Sequence, residues 1–214
     1  MQYERIIFDW DGTLGMTLHL WLGGYRAALA NQGYSLPDSQ IMQVIFHKPL
    51  ESTKVFPDID AKQMFRDTHD YVRDNLSSIA LYDGALETLE ILAQQGIEMS
   101  LVTSSSRQLI DTALAPRKLN RFFTSIIAGN EVTLRKPDPE PFTATLKAMN
   151  ADPATTLIVG DSHVDIVAGK AAGTLTCLFT PDENRRFHDF EALHSHNPDH
   201  SITALSHLLA PAQG

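Results

Sequence analysis

Two aspartates, Asp9 and Asp11, stand one residue apart directly behind the apolar run IIF and ahead of a Gly-Thr turn, in the stretch IIFDWDGTL. Desolvating even one carboxylate is costly, so two acids at the mouth of a strand that reads as buried call for a chemical reason. Other polar residues sit in equivalent places. Thr103 and Ser104 end the run MSLVTS, Lys136 precedes a Pro-rich helix start, and Asp161 and Asp165 follow TLIVG. If all of these lie at the carboxyl ends of parallel strands, they share the crevice where open α/β sheets bind ligands. Four carboxylates, two hydroxyls and one ammonium would then converge. Like charges about 4 Å apart repel by roughly 4 kcal/mol at an effective dielectric of 20, so the cluster needs a cation. Its hard oxygen donors, with no His or Cys among them, favour Mg²⁺ over zinc.

The elements that must position these groups are legible as a pattern. Five apolar runs rich in β-formers occur at 6–8, 99–103, 124–129, 156–160 and 175–179. Their continuous rather than alternating character suits strands covered on both faces. Between them lie helical patterns: Ala85, Leu89, Leu92 and Ala93 with Gly96 as a stop; Asp138 as an N-cap ahead of Pro139, leading through Phe142, Leu146 and Met149; and Val164 to Ala172 ending at Gly173. Alternating strand and helix predict a Rossmann-like parallel sheet wound with helices on both faces. Residues 15–83 interrupt it. Leu18, Trp21, Leu22, Tyr25, Ala28 and Leu29 mark one amphipathic helix, and Ala61, Met64, Phe65, Thr68, Tyr71 and Val72 mark another. The expected organisation is a core of residues 1–14 and 84–214 with an inserted α-helical cap over 15–83.

Composition narrows the partners. The 214 residues suffice for one covered core plus a modest insertion. A formal charge of −9 without a basic run argues against nucleic acid and anionic membrane as partners, so an anionic substrate must be held by local groups. The single cysteine, Cys177, lies in the apolar run LTCLF and reads as a buried thiol in a reducing compartment. No secretory pattern is visible in the first residues, and the apolar patch at 18–29 contains Arg26 and is too short to span a bilayer. Cytoplasm is the expected location.

The motifs DWDGTL at 9–14, LVTSSS at 101–106, RKPDPEPF at 135–142 and VGDSHVDIVAGKAAG at 159–173 resemble, in order, the four motifs of the haloacid dehalogenase-like (HAD) superfamily, phosphatase branch, with a small helical cap inserted after the first. The resemblance covers about two-thirds of the chain and implies a Mg²⁺-dependent phosphatase of a small phosphorylated metabolite. It implies that Asp9 is the nucleophile that becomes an aspartyl phosphate, and that Asp11 protonates the leaving group and then activates water. It further implies that Asp9, the Asp11 backbone carbonyl and Asp161 hold Mg²⁺ with Asp165 behind them, and that Thr103, Ser104 and Lys136 bind phosphate oxygens. Asp11 stands where the dehalogenase branch lacks an acid. Two other readings share the residues: a sugar-phosphate mutase of the same superfamily, and a phospho-acceptor module that holds its phosphate without turnover.

Simpler roles fit the remaining polar residues. His163 reads as an exposed helix-start residue, Asp165 as an alternative helix cap, and His194, His196 and His200 as solvated rather than metal-binding. Met16 stands where relatives commonly carry an acid, and FHKP at 46–49 where they commonly carry glycine, which loosens any assignment to phosphoglycolate. In an acidic chain that must recruit an anion locally, His47 or Lys48 is a candidate contact for a second charge on the substrate. Lys48→Ala is expected to raise KM for the best substrate while leaving p-nitrophenyl phosphate hydrolysis nearly unchanged, and equal effects on both would sink the assignment.

Overall fold

The computed structural model describes residues 3–46, 54 and 56–209, and His47 and Lys48 lie outside the described residues. The chain divides into two compact units, Thr17–Ile79 and the two flanking segments Met1–Met16 and Ala80–Gly214.

The flanking segments form a six-stranded sheet around β1 (Arg5–Phe8). The later strands are β2 (Glu98–Val102), β3 (Phe123–Ile127), β4 (Thr156–Gly160), β5 (Leu175–Phe179) and β6 (His200–Ile202). All pairs are parallel and the order is β3-β2-β1-β4-β5-β6, the Rossmann-like α/β arrangement that the pattern predicts. The centre of this sheet is dry: Ile6, Ile7, Phe8, Leu101, Val102, Leu157, Ile158, Val159, Cys177 and Leu178 are buried. That is why these runs lack a strict apolar-polar alternation, and why even Ser100, Thr156 and Thr176 within them are buried.

The sixth strand was not expected. SITALSHLL reads as a terminal helix, and in the structure Ile202, Leu205 and Leu208 of this stretch are buried. The stretch instead forms a short strand followed by a 3₁₀ turn, Leu205–Leu209. Tertiary anchoring overrides the helical period. The Asp199 carboxylate accepts from Thr176 N and Oγ1 at 2.8 and 2.7 Å, and Thr180 N donates to Ile202 O at 2.8 Å, which holds the segment against β5.

The connecting helices end where the sequence places them. The helix Ala85–Gln94 stops before Gly96, which takes φ +76. The helix Glu140–Ala148 begins one residue later than the Asp138-Pro139 signal suggests, yet Asp138 Oδ1 still accepts from Glu140 N at 2.9 Å. The helix His163–Ala171 opens on a capping box in which Ser162 N donates to Asp165 Oδ2 at 3.3 Å, and Ser162 Oγ donates to the same oxygen at 2.6 Å.

In the other unit, Leu18–Asn31 and Ala61–Asn75 are the two amphipathic helices. They approach closely at Gly24, where a Cβ would press on the backbone of Thr68. The apolar stripe of the second helix is narrower than its sequence suggests. Met64, Thr68 and Val72 are buried, while Phe65 and Tyr71 are exposed, with the Phe65 ring lying 3.9 Å from that of His69. Among the described residues no helix is long and apolar enough to cross a membrane.

Burial pushes the Cys177 thiol up to about 12, which leaves it protonated at neutral pH and inert. Native protein at pH 8 is expected to resist a thiol-disulfide indicator that titrates one equivalent after denaturation; rapid stoichiometric labelling of the native protein would contradict this packing.

Candidate active site

The sheet order puts the switch in winding direction between β1 and β4: the chain leaves β1 toward β2 and β3, then returns to pair β4 on the other side of β1. Residues leaving the carboxyl ends of these two neighbours must meet. Asp9 follows β1, with its N–H donating to Val159 O at 2.9 Å, and Asp161 follows β4. Both are buried, as is Asp165, and the three offer carboxylate oxygens within 4.8 Å of one another. Two glycines allow this crowding. Gly12 has φ +80, and a Cβ there would overlap the Asp161 carboxylate; a Cβ on Gly160 would overlap Asp165.

Lys136 enters from the segment after β3. Its buried ammonium donates to Asp9 Oδ1 and Asp165 Oδ1, each at 2.6 Å, and to Val102 O at 3.3 Å, so it ties together the ends of β1 and β2 and the start of the helix after β4. The segment is itself fixed: Glu140 accepts from Thr133 N and Leu134 N at 2.7 and 2.9 Å, and Arg135 Nε donates to Gly129 O at 2.8 Å.

Asp11 is half-buried, and its Oδ2 accepts from Ser105 Oγ at 2.7 Å and lies 3.4 Å from Thr103 Oγ1. Thr103 Oγ1 in turn accepts from Ser105 N at 3.0 Å. Ser104 is exposed, with its backbone against Gly129. On the far side of Asp161, His188 Nε2 lies 2.8 Å from Oδ2, and Asn184 Nδ2 donates to Gly12 O at 2.8 Å while the Tyr82 hydroxyl donates to Asn184 Oδ1.

The sequence profile described as haloacid dehalogenase-like hydrolase matches residues 6–179. The chain belongs to this family. A relative, the pyrophosphatase PpaX of Bacillus mycoides (strain KBAB4), is 31% identical over 98% of this chain and 96% of its own length. A crystal structure of a predicted phosphoglycolate phosphatase from Haemophilus somnus 129pt superimposes with a TM-score of 0.83 at 23% identity, covering 98% of this chain and 97% of the other. A hydrolase from Pseudomonas syringae does so with a TM-score of 0.79 at 22% identity over 96% and 95% of the two chains. This haloacid dehalogenase-like hydrolase is thus an enzyme of the phosphatase type.

Within the hydrolase, Asp9, Lys136, Asp161 and Asp165 form one buried cluster, and Asp11, next but one to Asp9 in sequence, is met by the hydroxyls of Thr103 and Ser105 that follow β2. Asp165 is both a helix cap and an ion-pair partner of Lys136. His163 is half-buried rather than exposed, its ring stacked on that of His196 at 5.6 Å. Sequence reasoning missed Ser105 and His188. Ser105 was available as the third residue of a hydroxyl run, whereas His188 lies well beyond the end of β5 and no local pattern singles it out.

Charge is unbalanced here. Among the described residues, Lys136 and His188 are the basic groups bonded to the cluster, against Asp9, Asp161 and Asp165, with Asp11 nearby. Burial, opposed by Lys136 but reinforced by Asp165, Asp161 and Asp11, holds the Asp9 carboxyl well above its ordinary range. Burial likewise raises Asp161 despite His188, and Asp161 raises His188 against its own desolvation. Carboxylate oxygens that are buried, close together and short of positive charge fit a hard divalent cation.

These shifts have a sign. An acid whose folded-state pKa exceeds its unfolded value binds an extra proton when folded, so stability falls as pH rises above about 4. The raised His188 contributes below its unfolded value and loses that contribution as pH rises through its folded one. In EDTA, the urea midpoint of the protein is expected to be lower at pH 8 than at pH 6; a level or rising midpoint would contradict the charge imbalance.

Proposed function

We propose that the protein is a Mg²⁺-dependent phosphatase of a small phosphorylated metabolite, acting through an aspartyl-phosphate on Asp9. The observation that carries this reading is the clamp of Lys136 on Asp9 at the β1/β4 junction, with a second acid, Asp11, held by hydroxyls two residues away. Asp9, the Asp11 backbone carbonyl and Asp161 would hold the cation, with Asp165 behind them through Lys136. The ion would screen the approach of an anionic nucleophile to an anionic phosphate.

In the first half-reaction an Asp9 carboxylate oxygen attacks phosphorus, the bond to the leaving oxygen breaks, and Asp11 gives that oxygen its proton. In the second, the Asp11 carboxylate takes a proton from water as the water oxygen attacks phosphorus. The Asp9–phosphorus bond breaks, phosphate leaves, and both acids return to their starting states. Two carboxylates serve because one must be ionised when the other is protonated; burial holds the Asp9 carboxyl up, and the cation that the cluster would hold is what would keep it ionised for attack. Thr103 would offer its hydroxyl to phosphate oxygens, and Lys136 would add positive charge where it develops in phosphoryl transfer. The exposed Ser104 would contribute through its backbone N–H.

The curated relatives named as pyrophosphatases and a structural neighbour named as a phosphoglycolate phosphatase support small anionic phosphates as the substrate class. The residues that choose among them fall to the helical insertion, which would act as a cap. A single buried cysteine supports a cytoplasmic setting.

Phosphate release is measured over a panel of phosphorylated metabolites with and without Mg²⁺. Many equivalents per mole of protein are expected with Mg²⁺ and none in EDTA. Asp9→Asn should reduce turnover by at least about 10³-fold with an unchanged circular-dichroism spectrum. Release of less than one equivalent across the panel would favour a phospho-acceptor over an enzyme that turns over.

A further inference from the structure

We propose that His188 is a positioning residue for the cation site: its Nε2 holds Asp161 Oδ2 so that Oδ1 is presented to the divalent ion. The inference rests on the phosphatase reading of the acid cluster, and adds to it a residue from outside the four motifs.

The side chains of His188 and Asp161 are both almost wholly covered and meet at 2.8 Å. Because a carboxylate only accepts, Nε2 is the donor. Asp161 Oδ2 is pressed against Gly12, so the same oxygen that receives His188 is closed off by the DWDG turn. Asn184 approaches Oδ2 as well, at 3.5 Å, and its main bond, to Gly12 O, fixes the turn that Asp161 packs on. The described donors therefore converge on one oxygen of Asp161 and leave Oδ1 without one. A carboxylate at the end of a strand can rotate about its terminal torsion. Pinning one oxygen by a buried donor removes that freedom and sets where the other oxygen points. Outer hydrogen bonds of this kind orient ligating side chains, and their loss typically weakens metal binding by about 10- to 100-fold.

The opposing account is that the pair is structural, closing the loop after β5 onto the DWDG turn. The two accounts differ in what a correctly placed donor restores. Mg²⁺ affinity is measured by calorimetric titration for wild type, His188→Ala, His188→Asn and His188→Gln, with thermal unfolding in EDTA as the control for folding. The Gln amide reaches the position of Nε2, whereas the Asn amide stops near that of Nδ1. Affinity is expected to fall about 10- to 100-fold in His188→Ala and His188→Asn and to stay within about threefold of wild type in His188→Gln. Wild-type affinity in His188→Asn, or equal weakening in Asn and Gln variants, would overturn the proposal, even if the Ala variant fails to fold. Phosphate release by wild type is followed in parallel. Turnover together with equal Mg²⁺ affinity in all folded variants would overturn the role of His188 alone, and absence of any Mg²⁺-dependent turnover in wild type would overturn both readings.

Discussion

The Lys136 ammonium lies between Asp9 and Asp165, 2.6 Å from each, with all three side chains almost wholly buried. A buried carboxylate is tolerated only when paired and hydrogen-bonded, and removing one partner of such an arrangement is typically destabilising by about 3–5 kcal/mol. The first strand can thus end in an acid within the protein interior because a lysine 127 positions later returns to it. The lysine in turn depends on the fixed segment around Glu140 and Arg135, and Asp165 on the capping box that opens its helix. One cation does not balance the set, and the remaining deficit is a setting that a hard divalent ion would fit.

Topology supplies the rest. A sheet that winds outward from β1 in one direction and then resumes at β4 leaves two neighbouring strand ends with no crossover helix between them. Asp9 and Asp161 occupy those ends, and Gly12 and Gly160 remove the side chains that would hold the carboxylates apart. A second layer of polar groups, Tyr82, Asn184 and His188, then braces the turn from behind. Fold and chemistry are therefore coupled at the backbone: the same turn that positions Asp9 and Asp11 is a wall of the Asp161 site.

The features that were legible in the sequence are those written in local patterns. Uninterrupted apolar runs mark strands covered on both sides, and TLIVG and LTCLF coincide with β4 and β5 residue for residue. Asp9 and Asp161 were visible because each directly follows such a run, with Asp11 and Asp165 close behind them. What escaped is nonlocal. The edge strand His200–Ile202 depends on Asp199 reaching Thr176, and its apolar spacing imitates a helix. Phe65 and Tyr71 continue an apolar stripe in sequence, yet the stripe is wider than the surface its helix buries. Ser105 rather than Ser104 turns toward Asp11 because the chain bends as it leaves β2, a backbone direction that three consecutive serines do not reveal. His188 is one of nine histidines, and only its distance to Asp161 sets it apart.

The central claim is that Asp9 is the phosphoryl acceptor within a cation site shared with Asp161. A crystal structure of the protein with Mg²⁺ and beryllium fluoride tests it most directly. The account predicts beryllium bonded to an Asp9 carboxylate oxygen, Mg²⁺ coordinated by Asp9 and Asp161, and Lys136 still in contact with Asp9. Fluoride density elsewhere, or Mg²⁺ coordinated without Asp161, would contradict it.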